Sequence, residues 1–258
     1  MKKYIAFSLL LMCCNFCCAD VITGEIEKQG QSSLHTVYDM STNVPLEGVV
    51  IKIPAKNYKT KTNKNGVFSL NTNINSPTIM SVEKTGYKPY SMTLKDGAKT
   101  PIQIGIEKTT PQDIVVDTNM IHIGDNSFSA NSANASEFSL FSVGPFYSKD
   151  FKIPNIKPQE ALFLIIGSII GIDTTFAQRM GQSHVTTAYS SPPEIFFNGN
   201  KISDIKINGD NQKIKIPTNL IKFNQNNNVT IKTGRNLFKT TDIDFDDIEF
   251  TNLLFEIK

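Results

Sequence analysis

From Leu34 onward the chain alternates short apolar, β-branched and aromatic runs with polar turn signals. In the first part the runs are Leu34 to Tyr38, Val49 to Ile53, Val67 to Leu70, Ile79 to Val82 and Ile102 to Ile106. Between them lie Ser41-Thr42-Asn43, Asn63-Lys64-Asn65-Gly66 and Thr85-Gly86. Short strands at this spacing predict an all-β sandwich. Asn65-Gly66 predicts a type I′ hairpin, because both central positions of that turn need positive φ. The expected core is Val37, Leu46, Val49, Ile51, Ile53, Phe68, Leu70, Ile79 and Tyr87. Strand-like runs resume after Thr109-Thr110-Pro111: Met120 to Ile123, Phe138 to Phe141, Phe146 to Ile153, Ala161 to Ile172, Glu194 to Phe197, Ile205 to Ile207, Lys213 to Ile216 and Val229 to Lys232. Asn198-Gly199 and Asn208-Gly209 again read as hairpins. Ala161 to Ile172 is too short to span a bilayer and predicts a buried strand. No sustained helical periodicity occurs, although Thr218 to Lys222 could form a single turn.

The chain closes on DIDFDDIEFTNLLFEIK, Asp242 to Lys258. Its apolar positions change parity, odd at Ile243 and Phe245, even at Ile248 and Phe250, odd again at Leu253, Phe255 and Ile257. One face of a regular strand cannot hold all of them, so a bulge or bend is expected near Asp246 and another near Thr251. Five carboxylates within this run, Asp242, Asp244, Asp246, Asp247 and Glu249, repel one another unless solvent or a cation offsets them.

The first residues alter the picture of where the protein works. Met1-Lys2-Lys3, the apolar stretch Ile5 to Met12 and the small-residue end Cys17-Cys18-Ala19 predict a cleaved signal peptide over residues 1–19, hence a secreted or periplasmic protein. All 4 Cys lie in that segment, so the mature chain forms no disulfide and no cysteine metal site. Removing Lys2 and Lys3 from the 26 Lys and Arg leaves 24, against 24 Asp and Glu. Zero net charge argues against nucleic acid as a partner. The remaining length predicts two domains, residues 20–108 and 109–258. Lys/Asn/Ile-rich usage fits an exported bacterial protein.

VYDMSTNVPLEGVVIKIP, TKTNKNGVFSL and SVEKTGYKPY together resemble the carboxypeptidase regulatory-like domain. Asp39, Pro45, Leu46, Gly48, Val49, Thr62, Gly66, Phe68, Gly86 and Tyr87 match its pattern. The resemblance implies a transthyretin-like β-sandwich and an accessory role. It does not bring a peptidase with it: zinc carboxypeptidases place His and Glu three apart, whereas the three His here read HTVY, HIGD and HVTT.

In the second part, IHIGDNSFSANSANASEF, PEIFFNGNKI, IPTNLIKFNQNNNVTIKTG and DFDDIEFTNLLFEI resemble a galactose-binding-like or carbohydrate-binding-module jelly roll. The closing motif carries Ile248 where that pattern has an aromatic, and the chain has no Trp. The resemblance implies a β-jelly roll after the sandwich, and a structural Ca²⁺ between first and last strands. The residues that would present hard oxygens are Asp125, Asn126, Asp244, Asp246, Asp247 and Glu249. The alternative is an exposed acidic edge that discourages strand pairing.

The connection Asp173 to Pro193 is long for a compact domain and is the candidate recognition segment. Phe176, Arg179, Gln182, His184 and Tyr189, with Asn198 of the next turn, supply stacking faces and directional hydrogen-bond groups. No candidate catalytic residue stands out, since no nucleophile elbow, Walker loop or dinucleotide fingerprint occurs. The expectation is a secreted, non-catalytic protein that recognises carbohydrate or a surface glycoconjugate. A protein-binding or adhesive module is the alternative, and an unrecognised hydrolase a second one.

Overall fold

A computed structural model describes residues 34–95, 100–128, 132, 138–157, 159–183 and 189–258; the expected signal segment lies outside them. Strands β1 (Leu34–Asp39), β2 (Val50–Ile53), β3 (Tyr58–Lys61), β4 (Val67–Ser69), β5 (Thr78–Glu83), β6 (Tyr90–Leu94) and β7 (Gln103–Ile106) make the first part. They form two sheets, ordered β4-β1-β7 and β3-β2-β5-β6, with β1 and β7 parallel. The alternating apolar positions meet between the sheets as the expected core. Val37, Leu46, Val49, Ile51, Ile53 and Phe68 are buried there, and Leu70 and Tyr87 pack on its margin; Ile79 is fully buried but outside this cluster.

The Asn65-Gly66 turn differs from the hairpin expected. Only Gly66 takes positive φ (69°), and Asn63 Oδ1 organises the turn by accepting from the N–H groups of Asn65 and Val67 (2.9 and 3.0 Å). β3 and β4 then separate, β3 pairing with β2 and β4 with β1. The turn is a corner between two sheets, and the packing of each strand overrides the local hairpin preference.

The second part contains β8 (Asp113–Asp117), β9 (Ile121–Ile123), β10 (Phe146–Lys152), β11 (Leu162–Ile170), β12 (Glu194–Phe197), β13 (Asn200–Asp204), β14 (Gly209–Lys215), β15 (Asn226–Lys232) and β16 (Ile248–Ile257). Among the described residues its one α-helix, α1 (Thr175–Arg179), lies in the long connection after β11. One sheet runs β10-β15-β12-β13; the other runs β14-β11-β16-β8, with β9 also on β16. The protein is thus all-β, two sandwiches in series. Asn198-Gly199 forms the expected hairpin, with φ of 49° and 80°. Asn208-Gly209 does not: β13 pairs with β12 and β14 with β11, and the Asn208 side chain is drawn off to the backbone of Ile172 (2.7 and 3.0 Å).

The sheet containing β11 and β16 is buried on both faces. Ile248, Phe250, Leu253, Phe255 and Ile257 enter the core of the second sandwich. On the opposite face β5 and β6 of the first sandwich lie over β11, β14 and β16. Ile165 and Leu254 are buried outside that core cluster. Ser91 meets Ser168 (2.9 Å), and Asp210 accepts from the N–H and hydroxyl of Thr93 (3.0 and 2.8 Å). Residues 32–258 accordingly form one compact unit.

The parity changes read in the last run have two different structural origins. Residues 242–247 are not strand, so the first change reflects the start of β16 at Ile248 rather than a bulge. The second is a true break: Asn252 takes φ of 58°, and the register against β8 shifts between Leu253 and Leu254. The pairings of Ile166 and Ser168 place Gly167 opposite Asn252 on one side and opposite Asn211 on the other. Asn211 also takes positive φ (53°). Asn tolerates this conformation better than other side-chain-bearing residues, and Gly lacks the Cβ for which Ser91 and Asn252 leave no room. Three neighbouring strands therefore change face along one row.

Candidate functional site

The long connection is fixed to the sandwich before it turns outward. Thr174 caps α1, its Oγ1 accepting from the Ala177 N–H (3.0 Å) and donating to the Lys206 carbonyl (2.6 Å). Ala177 is buried, which leaves Phe176 and Arg179 exposed on the outer side. On its return the chain forms a bridge from Ser190 to Thr174 on one side and to Asn236 on the other. Leu237 N–H donates to the Tyr189 carbonyl (2.9 Å), and the Tyr189 and Phe238 rings pack with centroids 5.1 Å apart. Phe238 remains 65 % exposed, with Leu237 and Ile243 exposed in the same segment and Arg235 beside them.

Of the expected residues, Phe176 and Arg179 are thus exposed on α1 and Tyr189 packs on Phe238, with Arg235 and Leu237 exposed in the segment that pairs with Tyr189. The other expectations fare differently. Gln182 pairs with the backbone of Asn208, accepting from its N–H (2.9 Å) and donating to its carbonyl (3.0 Å). Asn198 sits at the opposite end of β12, where its amide binds the Leu220 carbonyl and Asn227 Oδ1 (2.8 Å each) and its oxygen accepts from Asn228 N–H (2.8 Å). Both act as backbone pins. His184 lies outside the described residues. Phe238 carried no signal in the sequence, because its aromatic partner comes from a distant segment.

Beneath these loops lies the acidic stretch. Asp125 accepts from the N–H groups of Ser127 and Phe245 (3.0 and 2.8 Å), and burial raises its pKa. Asn126, at φ 63°, donates its N–H to Asp247 Oδ1 (3.0 Å) and accepts from Ser142 N–H (2.9 Å). Asp244 accepts from Ser132 Oγ (2.8 Å) and Asn236 Nδ2 (3.1 Å). Asp246 is wholly buried. Its Oδ2 accepts from Ser190 Oγ (2.5 Å) and Asp173 N–H (3.3 Å), while Oδ1 has no hydrogen-bond partner among the described residues. Burial, augmented by Asp173, pushes the Asp246 carboxyl well above the usual carboxylate range. Burial also raises Asp173 to about 6, against the hydrogen bond it accepts from Ser183 Oγ (2.5 Å).

His122 gives this layer its cationic partner. Its Nε2 lies 2.8 Å from Asp247 Oδ1 and its Nδ1 2.5 Å from the Leu140 carbonyl. Both neighbours accept, so the doubly protonated imidazolium satisfies the geometry best. Burial alone would lower the His122 pKa, but Asp247 and the Leu140 carbonyl hold it above its ordinary value. Glu249, one residue further along β16, is 1 % exposed, and neither of its oxygens has a hydrogen-bond partner among the described residues; the Leu140 N–H lies on its side without reaching hydrogen-bond geometry. Burial drives its pKa up to about 7.

The structure places the six residues expected to bind Ca²⁺ in one layer, with Asp125, Asn126, Asp244 and Asp247 hydrogen-bonded to protein donors. Among the described residues no group of three or more His, Cys, Asp or Glu side chains is arranged to hold a metal ion. Asp173, Asp246, Asp247 and Glu249 are enclosed, between 0 % and 2 % exposed, and cannot touch a substrate as they stand. Burial raises the carboxyl pKa values of Asp125, Asp173, Asp246 and Glu249 in this layer, whereas the loop surface carries aromatic faces and guanidinium groups of the kind ligands engage.

Comparison with known proteins bears mainly on the first sandwich. Residues 36–116 match the family model described as the CarboxypepD_reg-like domain. No curated protein matches the sequence. Among solved structures, a β-D-glucuronidase from Dictyoglomus thermophilum aligns at 11 % identity and a TM-score of 0.31, over 58 % of this chain and 29 % of that one. The chain therefore spans well under half of that enzyme. A candidate carbohydrate-binding protein from Bacteroides uniformis aligns at 8 % identity and a TM-score of 0.23, over 87 % of this chain and 97 % of that one. A candidate membrane-associated protein of unknown function from Bacteroides fragilis aligns at 9 % identity and a TM-score of 0.22, over 87 % and 96 %. Similarities this low carry no functional weight. Among the described residues no helix is long and apolar enough to cross a membrane.

Proposed function

We propose that this is an exported, non-catalytic binding protein whose second sandwich, read as a jelly roll, recognises carbohydrate or a surface glycoconjugate at its loop end. The observation that carries this reading is the Tyr189–Phe238 pair, two rings packed on each other beside the bridges that tie Ser190 to Thr174, the cap of α1, and to Asn236. Exposed aromatic faces stack on sugar rings, and Arg179 and Arg235 can donate to hydroxyl or carboxylate oxygens. The first sandwich serves as an accessory layer. The exposed Leu237 and Ile243 favour a second reading, in which the same loops hold a polypeptide.

A glycan array probed with the mature chain, followed by isothermal titration of the best glycan, tests the proposal. Tyr189→Ala and Phe238→Ala are each expected to weaken binding about tenfold, the loss of about 1.4 kcal/mol that one stacking face contributes. Melting temperature should be unchanged for Phe238→Ala, which removes a largely exposed ring. A clean array, or titrations in which both variants bind as tightly as the parent, would reject the carbohydrate reading.

A further inference from the structure

Charge is spread unevenly along this otherwise neutral mature chain. Between Glu47 and Glu83 stand Lys52, Lys56, Lys59, Lys61 and Lys64, and not one Asp or Glu. The fold keeps this excess in one place. Lys59 and Lys61 lie on β3, the edge strand of the sheet β3-β2-β5-β6, with Lys56 in the short helical turn before it and Lys64 in the corner after it. All four are exposed, and among the described residues none of them forms an ion pair: Lys52 takes up Glu83 (2.7 Å), and Glu47 reaches none of them.

The pairing of β3 with β2 sets how these charges face. Lys59 stands directly opposite Lys52, and Lys61 opposite Val50, so Lys52, Lys59 and Lys61 share the outer face while Ile51 and Ile53 enter the core. Like charges placed directly opposite one another destabilise a sheet. Two residues of strand separate Lys59 from Lys61, about 7 Å. The second sandwich covers β5 and β6, on the other side of the sheet. Lysine on an edge strand discourages pairing with another chain. Lys59 and Lys61 meet that need alone; it accounts neither for the lysines in both flanking turns nor for the lack of acids among them.

The surroundings narrow the partner. No large apolar side chain between Pro45 and Pro89 is exposed, so the edge has neither an apolar face to enter a lipid surface nor an aromatic platform for nucleobases. Duplex DNA carries one charge per about 1.7 Å, far denser than these ammonium groups. An acidic polysaccharide carries its charges one sugar unit apart. We propose that the β3 edge and its two turns bind a linear acidic polysaccharide, its successive anionic groups lying along Lys56, Lys59, Lys61 and Lys64. This surface is separate from the loop end and does not depend on recognition there.

Isothermal titration of the mature chain with polygalacturonate tests this, with neutral dextran, phosphatidylglycerol vesicles and a DNA duplex as comparisons. Polygalacturonate is expected to bind, more weakly as salt rises, and dextran not to bind. Lys56→Gln/Lys59→Gln/Lys61→Gln/Lys64→Gln should bind polygalacturonate at least about tenfold more weakly. Lys152→Gln/Lys157→Gln/Lys215→Gln/Lys222→Gln removes the same charge from exposed positions of the second sandwich and should bind as the parent does. Should the melting temperature of the first variant fall, Lys56→Gln/Lys64→Gln leaves the strand intact and should still lose about threefold. No binding of polygalacturonate at low salt, equal losses in the two quadruple variants, or tighter binding to DNA or vesicles than to polygalacturonate would overturn the proposal.

Discussion

Replacing Glu249 by Gln asks whether the layer beneath the loops is neutralised by protons. In the fold this carboxyl is 1 % exposed, without a hydrogen-bond partner among the described residues, and burial moves its pKa from the ordinary 4.5 to about 7. Between those values the folded chain holds a proton that the unfolded chain has released. Stability therefore falls as pH rises through this window, and the loss is complete above about pH 7. A rise from 4.5 to about 7, at about 1.4 kcal/mol for each pH unit, corresponds to about 3 kcal/mol. The attraction of His122 opposes this rise and is already contained in it. Glu249→Gln cannot ionise, so it should match the parent near pH 4 and exceed it by about 3 kcal/mol near pH 8, a gain of roughly 6–12 °C in melting temperature for a chain of this size. Urea unfolding of both proteins at several pH values reads the difference directly. A gain that does not grow with pH, or a loss at pH 8 that Ca²⁺ deepens by stabilising only the parent, would refute proton neutralisation and mean that the ionised carboxylate is held by a cation.

Three other outcomes follow from the packing. Lys88→Met removes the ammonium that Glu107, Asp113 and Glu256 share at a site where the Lys88 side chain is only 15 % exposed, leaving Glu256 its other partner Lys258, and is expected to cost about 2 kcal/mol in urea unfolding; no measurable loss would show that the ion pairs are idle. Although burial alone would raise the pKa of Glu256, Lys258 and Lys88 hold it at about 2, so its contribution is present above about 4.5 and lost as pH falls toward 2; the Lys88→Met defect should shrink over that range. Gly124→Ala would drive a Cβ into the Asp247 carboxylate at φ of 152°. It should lower stability by at least about 2 kcal/mol and weaken glycan binding by displacing the loop base; a crystal structure with Asp247 and His122 undisturbed would contradict this. Finally, residues 109–258 produced alone would expose Ile165 and Leu254, so light scattering should find self-association; a monomer that melts cooperatively would show that the first sandwich is dispensable.

What could be read in advance was the periodicity. Val37, Ile51, Phe68 and their neighbours announced the first core because alternation is a local property, and Asn198-Gly199 announced its hairpin because both residues alone determine the turn. Asn65-Gly66 and Asn208-Gly209 carry the same local signal, but their flanking strands find better partners elsewhere. The unbroken apolar run predicted that the strand holding Ile165 is buried, but what covers Ile165 and Leu254 was hidden, because a strand covered on two faces by different sheets loses the alternation that would assign either face. At the candidate site, the length of the connection singled out Phe176, Arg179 and Tyr189, and the structure leaves Phe176 and Arg179 exposed and packs Tyr189 on Phe238. Gln182 and Asn198 show the ambiguity of amides, which serve a ligand and a turn equally well. Nothing local to His122 reveals that Asp247, 125 residues away, faces it.

The row of Asn211, Gly167 and Asn252 has a consequence for how this protein can change. Each of the three strands reverses its facing at the same level, so their side chains remain in step only because the reversals coincide. Losing or gaining one residue in any one strand would put its downstream half out of phase with both neighbours, turning charged positions such as Glu256 inward and core positions such as Phe255 outward. Loops at the rim are free to lengthen and diversify, whereas this seam ties three distant stretches of the gene into a single unit of inheritance, tolerant of substitution at its edges and intolerant of insertion or deletion along its length.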